Sequence, residues 1–274
     1  MPYFRTDDRV RLYFEEHGAG TPLVLAYGIG GNADLWDVNV EALATRYRVV
    51  LWEPRGHARS DSPADPARYS FRRWALDLRN LLDHLGARRA HVGGLSLGAG
   101  IATRFALLYP ARVLSLLVTN SSSAAGLPLS PDNLVMRSRS IQITLSEGMD
   151  AMAEFAMTAN PNVAARLALD PSSKEEFFAY YRRLTPIGYA NALRALLAMD
   201  YITDQLPKIK APTLLIGGDK DPSLEPMKVM HRKVRGSKLV VLSPASHFAN
   251  RDQPAAWNRA ALRFLAGVDG RKRP

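Results

Sequence analysis

A mostly parallel β-sheet with helices on both faces is the fold class this sequence predicts. Strand patterns alternate with helix patterns along most of the 274 residues, the order that builds a parallel sheet covered on both sides. The strand patterns are short apolar runs, as expected of strands buried on both faces. One of them, Ala90-His91-Val92-Gly93-Gly94-Leu95, overlaps Gly94-Leu95-Ser96-Leu97-Gly98 and passes at once into a helical pattern over 99–109.

The elements follow in order. Val10-Arg11-Leu12-Tyr13-Phe14-Glu15 reads as an early strand of antiparallel type, ended by His17-Gly18-Ala19-Gly20. Pro22-Leu23-Val24-Leu25-Ala26 reads as a buried strand running into the glycine loop Tyr27-Gly28-Ile29-Gly30-Gly31. A helix is expected around 35–44, then a strand at Arg48-Val49-Val50-Leu51-Trp52. Trp74, Leu78, Leu81, Leu82 and Leu85 recur at helical spacing, and Gly86 stops that helix. After the serine turn and its helix comes the strand Val113-Leu114-Ser115-Leu116-Leu117-Val118. The alternation then breaks. Residues 121–206 carry no strand pattern, only helical ones over 149–157, 174–184 and 186–199, punctuated by Pro161, Pro171 and Pro186. Two strand patterns resume at Thr213-Leu214-Leu215-Ile216-Gly217-Gly218 and Lys238-Leu239-Val240-Val241-Leu242. The predicted organisation is a core of residues 1–120 and 207–274 with a helical insertion over 121–206. A chain of this length with 47% hydrophobic residues can fill such a core.

The serine turn carries chemistry. A serine on a sharp strand-to-helix turn is lifted clear of the sheet, and the glycines two residues either side of it leave the room that the turn needs. The first amides of the next helix point at the same space, so the Leu97 amide is a candidate oxyanion donor. A serine hydroxyl needs a base, and the base needs an orienting acid. Asp219-Lys220-Asp221 follows the first late strand, and Ser243-Pro244-Ala245-Ser246-His247-Phe248 follows the second. The order Ser96, Asp219 or Asp221, His247 places each group at the end of a strand.

With Tyr27-Gly28-Ile29-Gly30-Gly31, Arg55-Gly56-His57-Ala58-Arg59-Ser60, the serine turn and the late Asp/His pair, the chain resembles the α/β-hydrolase superfamily. It is similar to 3-oxoadipate enol-lactonases, small carboxylesterases and the cofactor-free haloperoxidase group. The resemblance covers nearly the whole chain. It implies a triad of Ser96, Asp221 and His247, since the family's Gly-acid-x-Asp pattern favours Asp221 over Asp219. It implies a second oxyanion amide at Ile29 and a helical cap at 121–206. The chain departs from the family at Tyr27, where a loop-bracing histidine is usual, and at Ala58, where a glycine is usual. The Arg55–Ser60 turn is expected to brace the floor of the site, with His57 an unneeded alternative base. Tyr27, Trp36, Met152, Met157 and Phe248 are candidate pocket-wall residues, the methionines also reading as packing between helices. Arg137 and Arg139 are candidates to hold a substrate carboxylate, as a dicarboxylate lactone would need; both read equally well as solvated.

Other classes are excluded or disfavoured. There is no cysteine, so disulfides and thiolate chemistry do not arise. The net charge is +10, but the arginines are scattered in pairs such as Arg72/Arg73 and Arg182/Arg183, without the basic block and interleaved aromatics of a nucleic-acid surface. Arg271-Lys272-Arg273 reads as a frayed tail. His17, His84, His91 and His231 lack metal-ligand spacing, so no metal or cofactor is expected. No apolar run reaches the length of a membrane span, and Met1-Pro2-Tyr3-Phe4-Arg5 shows no secretory pattern. A cytoplasmic protein acting on a small molecule is expected, with homo-oligomers left open. The function expected is hydrolysis of a carboxylic ester or lactone through an acyl-enzyme. C–C bond hydrolysis, thioester cleavage, peracid formation and a slow receptor-like binding role are the alternatives, because all can use the same triad.

Overall fold

Eight strands form one sheet in the order β1-β2-β4-β3-β5-β6-β7-β8 in the computed structural model, which describes residues 2–270. Arg271, Lys272 and Arg273 lie outside the described residues. The strands are β1 (Tyr3–Arg5), β2 (Arg11–His17), β3 (Thr21–Ala26), β4 (Tyr47–Trp52), β5 (Ala90–Leu95), β6 (Val113–Thr119), β7 (Thr213–Gly218) and β8 (Lys238–Leu242). β1 and β2 pair antiparallel at one edge, and β3 to β8 are parallel. The fold class is the one the sequence predicts.

Side-chain alternation along the strands divides the core in two. Val24, Val50, Val92, Leu116 and Leu215 face one side, against α2 (Phe71–His84), α3 (Leu97–Leu108) and α10 (Leu224–Lys233). Leu25, Val49, Leu51, Leu117 and Leu214 face the other, against α1 (Asp37–Ala44) and α12 (Pro254–Gly270). The helix ends have local causes. Ser70 Oγ accepts from the Arg73 amide at 3.0 Å and starts α2. Gly86 ends it at φ +64°, with the Ala87 amide returning to Leu82 O at 2.8 Å.

Between β6 and β7 the described chain has helices and no strand: α4 (Ser122–Ala125), α5 (Pro131–Ser146), α6 (Gly148–Ala159), α7 (Pro161–Leu169), α8 (Lys174–Arg182) and α9 (Pro186–Leu197), with short 3-10 turns and loops. Pro131, Pro161 and Pro186 each open a helix, where the missing N–H costs nothing. Ser130, Asn160 and Thr185 cap them. The helices share their own apolar cluster, including Met152, Val163, Phe177, Tyr181 and Leu193, onto which Ile29 and Phe248 from the sheet loops pack. Ion pairs tie this helical excursion to the rest: Arg104–Asp200 at 2.8 Å, Arg166–Asp252 and Arg251–Glu176 at 2.5 Å each, and Arg183–Asp34. Among the described residues no helix is long and apolar enough to cross a membrane.

Candidate active site

β5 lies between β3 and β6 in the sheet, and Ser96 follows it at φ +53°, ψ −114°. A non-glycine residue at positive φ is strained and persists only where its surroundings over-determine it. Here they do. The Ser96 amide donates to Thr119 O at 3.0 Å, and its carbonyl accepts from the Gly100 amide at 3.0 Å, Ser121 Oγ at 2.7 Å and Ser123 Oγ at 3.2 Å. A Cβ on Gly94 or Gly98 would lie 2.3 or 2.2 Å from Ala26 O. The spacing Gly-x-Ser-x-Gly is thus a packing requirement of β5 and α3 against β3.

Asp221 and His247 come from the loops after β7 and β8. With its Nδ1 protonated, His247 donates to Asp221 Oδ1 at 3.0 Å, which leaves Nε2 as the free acceptor. The Ser223 amide donates to the same Oδ1 at 3.0 Å, while Asn120 Nδ2 and Ser223 Oγ donate to Oδ2. Burial opposes ionisation of Asp221. The His247 ring and the Ser223 donors outweigh it and hold the carboxyl down at about 2. Asp219 does different work: it accepts from the Ala245 amide and Ser243 Oγ, both at 2.9 Å, and ties together the loops that follow β7 and β8.

Ser96 and His247 line one cavity with Gly28 and Ile29 on the sheet side. Arg137, Asn160, Val163, Phe177 and Tyr181 line it from the helical excursion, and Phe248 completes the wall. Among the described residues, neither the Ile29 nor the Leu97 amide donates to a protein acceptor. For Leu97, the first residue of α3, this follows from its place at a helix start.

Of the expected wall residues, Phe248 lies on the cavity. Tyr27 borders it too, but its hydroxyl donates to Asn250 Oδ1 at 3.1 Å, so it braces the loop rather than facing a ligand. Trp36 is a correction. It is turned fully into the core between Tyr27 and Trp257, with ring centroids 5.4 and 5.3 Å away. Met152 is another: it faces a smaller neighbouring void with Tyr189 and Leu193. Met157 packs within the helical cluster, off the serine cavity. The wall is formed by α5, α7 and α8, and only the cap residue Asn160 from the α6 end. Arg139 is exposed and bonds Gln142; Arg137 is on the cavity.

The Arg55–Ser60 turn is a brace. Arg55 is fully buried and clasps Asp77 and Asp8 in two forked pairs at 2.8–2.9 Å. Glu53 accepts from the Arg59 and Ala33 amides at 2.7 and 3.2 Å, joining this turn to the chain after the glycine loop. His57 is buried beneath. Its Nδ1 donates to Arg55 O at 3.3 Å, and its Nε2 has no hydrogen-bond partner among the described residues. Burial holds its pKa down at about 4, against an ordinary 6.5. The unfolded chain therefore takes up this proton first, and stability falls as pH drops from 6.5 toward 4. A loss of about 2 kcal/mol is expected from this group at pH 5 relative to pH 7. Urea denaturation at the two pH values checks it: the difference should shrink in His57→Gln, and an equal difference in both proteins would refute the assignment.

Residues 21–254 match the family model described as the alpha/beta hydrolase fold. The chain belongs to this family. This α/β-hydrolase is 30% identical over 277 residues to the RutD protein of Azorhizobium caulinodans, which is named for carbamate hydrolysis; the match covers 98% of this chain and 100% of that one. It is 26% identical over 249 residues to 3-oxoadipate enol-lactonase 2 of Acinetobacter baylyi, covering 87% and 86% of the two chains. Its structure resembles that of a thermophilic esterase from Thermogutta terrifontis, with a TM-score of 0.86, 27% identity and coverage of 98% and 97%.

Proposed function

We propose that this α/β-hydrolase cleaves a small to medium carboxylic ester or lactone with Ser96 as nucleophile. The observation that carries the reading is the Asp221–His247 hydrogen bond, made by an imidazole that lines the same cavity as Ser96. His247 Nε2 takes the Ser96 proton as Oγ adds to the carbonyl carbon. The Ile29 and Leu97 amides, which have no acceptor of their own, receive the oxyanion. Asp221 holds the ring and stabilises the imidazolium without taking the proton. The imidazolium then protonates the leaving alkoxide as the C–O bond breaks. Next, His247 takes a proton from water as the water oxygen adds to the acyl carbon, and returns it to Ser96 when the acid departs.

A fluorophosphonate probe should form one adduct, mapped by peptide mass spectrometry to Ser96. An adduct at another serine, or none while esters turn over, would refute the assignment. Labelled protein whose ester turnover does not exceed that of Ser96→Ala would favour the receptor-like alternative. The likeness to RutD favours a carbamate as a second reading, and relative rates on an ester and a carbamate with the same leaving group separate the two.

The helical excursion serves as the lid that sets substrate choice, since it supplies most of the cavity wall remote from the sheet loops. Phe177→Ala should change relative kcat/KM between short and long acyl esters by about tenfold, in line with the loss of a few methylene-sized contacts. Equal slowing of all chain lengths would mean that the lid is only a scaffold.

A further inference from the structure

Several arginines drawn wholly or partly into this protein are paired with carboxylates. Arg55 has Asp8 and Asp77, Arg104 has Asp200, Arg166 has Asp252, and Arg251 has Glu176. Arg137, on α5, has no carboxylate partner among the described residues, and its Nε is buried without any hydrogen bond. Its titratable neighbours are the phenols of Tyr181 and Tyr189, which burial keeps protonated and neutral. Burial depresses the guanidinium's pKa, yet an arginine does not give up its proton in a protein. Arg137 is half-buried, and a cation drawn partly out of water without a counter-ion is unfavourable; this one lines the cavity that contains Ser96 and His247.

We infer that Arg137 receives a carboxylate of the substrate, so that the ester or lactone cleaved at Ser96 carries an anionic end. The inference rests on the serine-hydrolase reading for which bond is cut, but not for where the anion sits. A guanidinium offers a planar fork of donors matched to a carboxylate. The ligand supplies the charge that the fold leaves out, and a neutral substrate of the same length leaves the fork unsatisfied. Such a site rejects the analogue that lacks its partner more strongly than an apolar pocket rejects a missing methylene.

The test compares the 4-nitrophenyl monoester of adipic acid with 4-nitrophenyl hexanoate, which has a methyl group in place of the free carboxylate. The wild-type protein should prefer the adipate ester by at least tenfold in kcat/KM. In Arg137→Gln that ratio should collapse at least tenfold, mainly through KM, and Arg137→Lys should retain part of it because it keeps the charge but not the fork. The melting temperature of Arg137→Gln should hold or rise, whereas removal of an arginine with a structural role would lower it. Calorimetric titration of adipate into Ser96→Ala, with and without the Arg137 change, reads the anion site without turnover. A wild-type ratio near one overturns the inference by itself, even where a variant does not fold. So does a ratio unchanged in Arg137→Gln. Esters cleaved through Ser96 with no preference would sink the anion site and leave the hydrolase reading standing. Arg137-dependent adipate binding without ester cleavage would do the reverse.

Discussion

Ser96→Ala is expected to lower kcat for an activated ester on the order of 10⁶-fold, as loss of the nucleophile does in serine-protease triads. The folded state should survive. Ser96 is held through its backbone, by the amide bond to Thr119 O and the three donors to its carbonyl. The alanine keeps all of these and occupies the same strained φ. A melting temperature close to wild type together with the lost rate would therefore place the hydroxyl in the chemistry. A residual rate within tenfold of wild type would show that another group carries the reaction. On the proposed mechanism, turnover that remains would reflect binding and the Ile29 and Leu97 amides.

Asp221→Asn is the second large effect expected, at about 10⁴-fold, the size of the same change in the serine-protease triad. An amide can donate to Nδ1 and so favour the tautomer that puts the proton on Nε2, where His247 must accept one. The surroundings strengthen the case. Oδ2 faces two side-chain donors, Asn120 and Ser223, against the single Ser223 amide at Oδ1, so the oxygen end of the new amide should settle at Oδ2 and the amino end should turn to His247. Asp219→Asn should cost less than tenfold, because Asp219 bonds the Ala245 amide and Ser243 and not the imidazole. Steady-state kinetics on both variants decides between them, and the opposite ranking would transfer the orienting role to Asp219.

Much of this arrangement is legible in the sequence, for reasons that differ by element. The strands before Ser96 and Asp221 are buried apolar runs, and apolar runs bounded by turns are the clearest local signal of a parallel sheet; the run before His247 reads the same way, but β8 is the sheet's edge strand and only Leu242 of it is buried. The spacing around Ser96 is legible because two glycines are sterically forced there. Asn120 is different. Its side chain donates to Asp221 and to Ser246 O across 101 and 126 residues, and no periodicity encodes such a contact. The one hint is its place just after β6, a strand flanked in the sheet by β5 and β7, which lead to Ser96 and Asp221. α5 escapes the pattern because Leu134, Val135 and Leu145 stay exposed and blur its apolar stripe. Trp36 and the two methionines show the limit for pocket walls. An aromatic or a methionine near the site in sequence fits the core as well as the cavity, and only the helix orientations decide which.

The helical excursion leaves the sheet at the end of β6 and returns at the start of β7, and these strands are hydrogen-bonded neighbours. In topology it is one crossover among several, enlarged. Closing a longer loop between fixed ends costs only about 0.6 kcal/mol for each doubling of length. The part of the crossover remote from the sheet, α6 to α8, can therefore be lengthened or rebuilt at little closure cost, whereas Ala124, Ala192, Leu196 and Ile202 belong to the sheet's own core, and β3, β5, β7 and β8 keep the positions of Ile29, Ser96, Asp221 and His247. Divergence has a protected half and a free half in such a chain. The similar proteins are named for a carbamate, an enol-lactone and an ester; on the function proposed above, a recast crossover would meet a new acyl group while the residues on the sheet loops kept their chemistry.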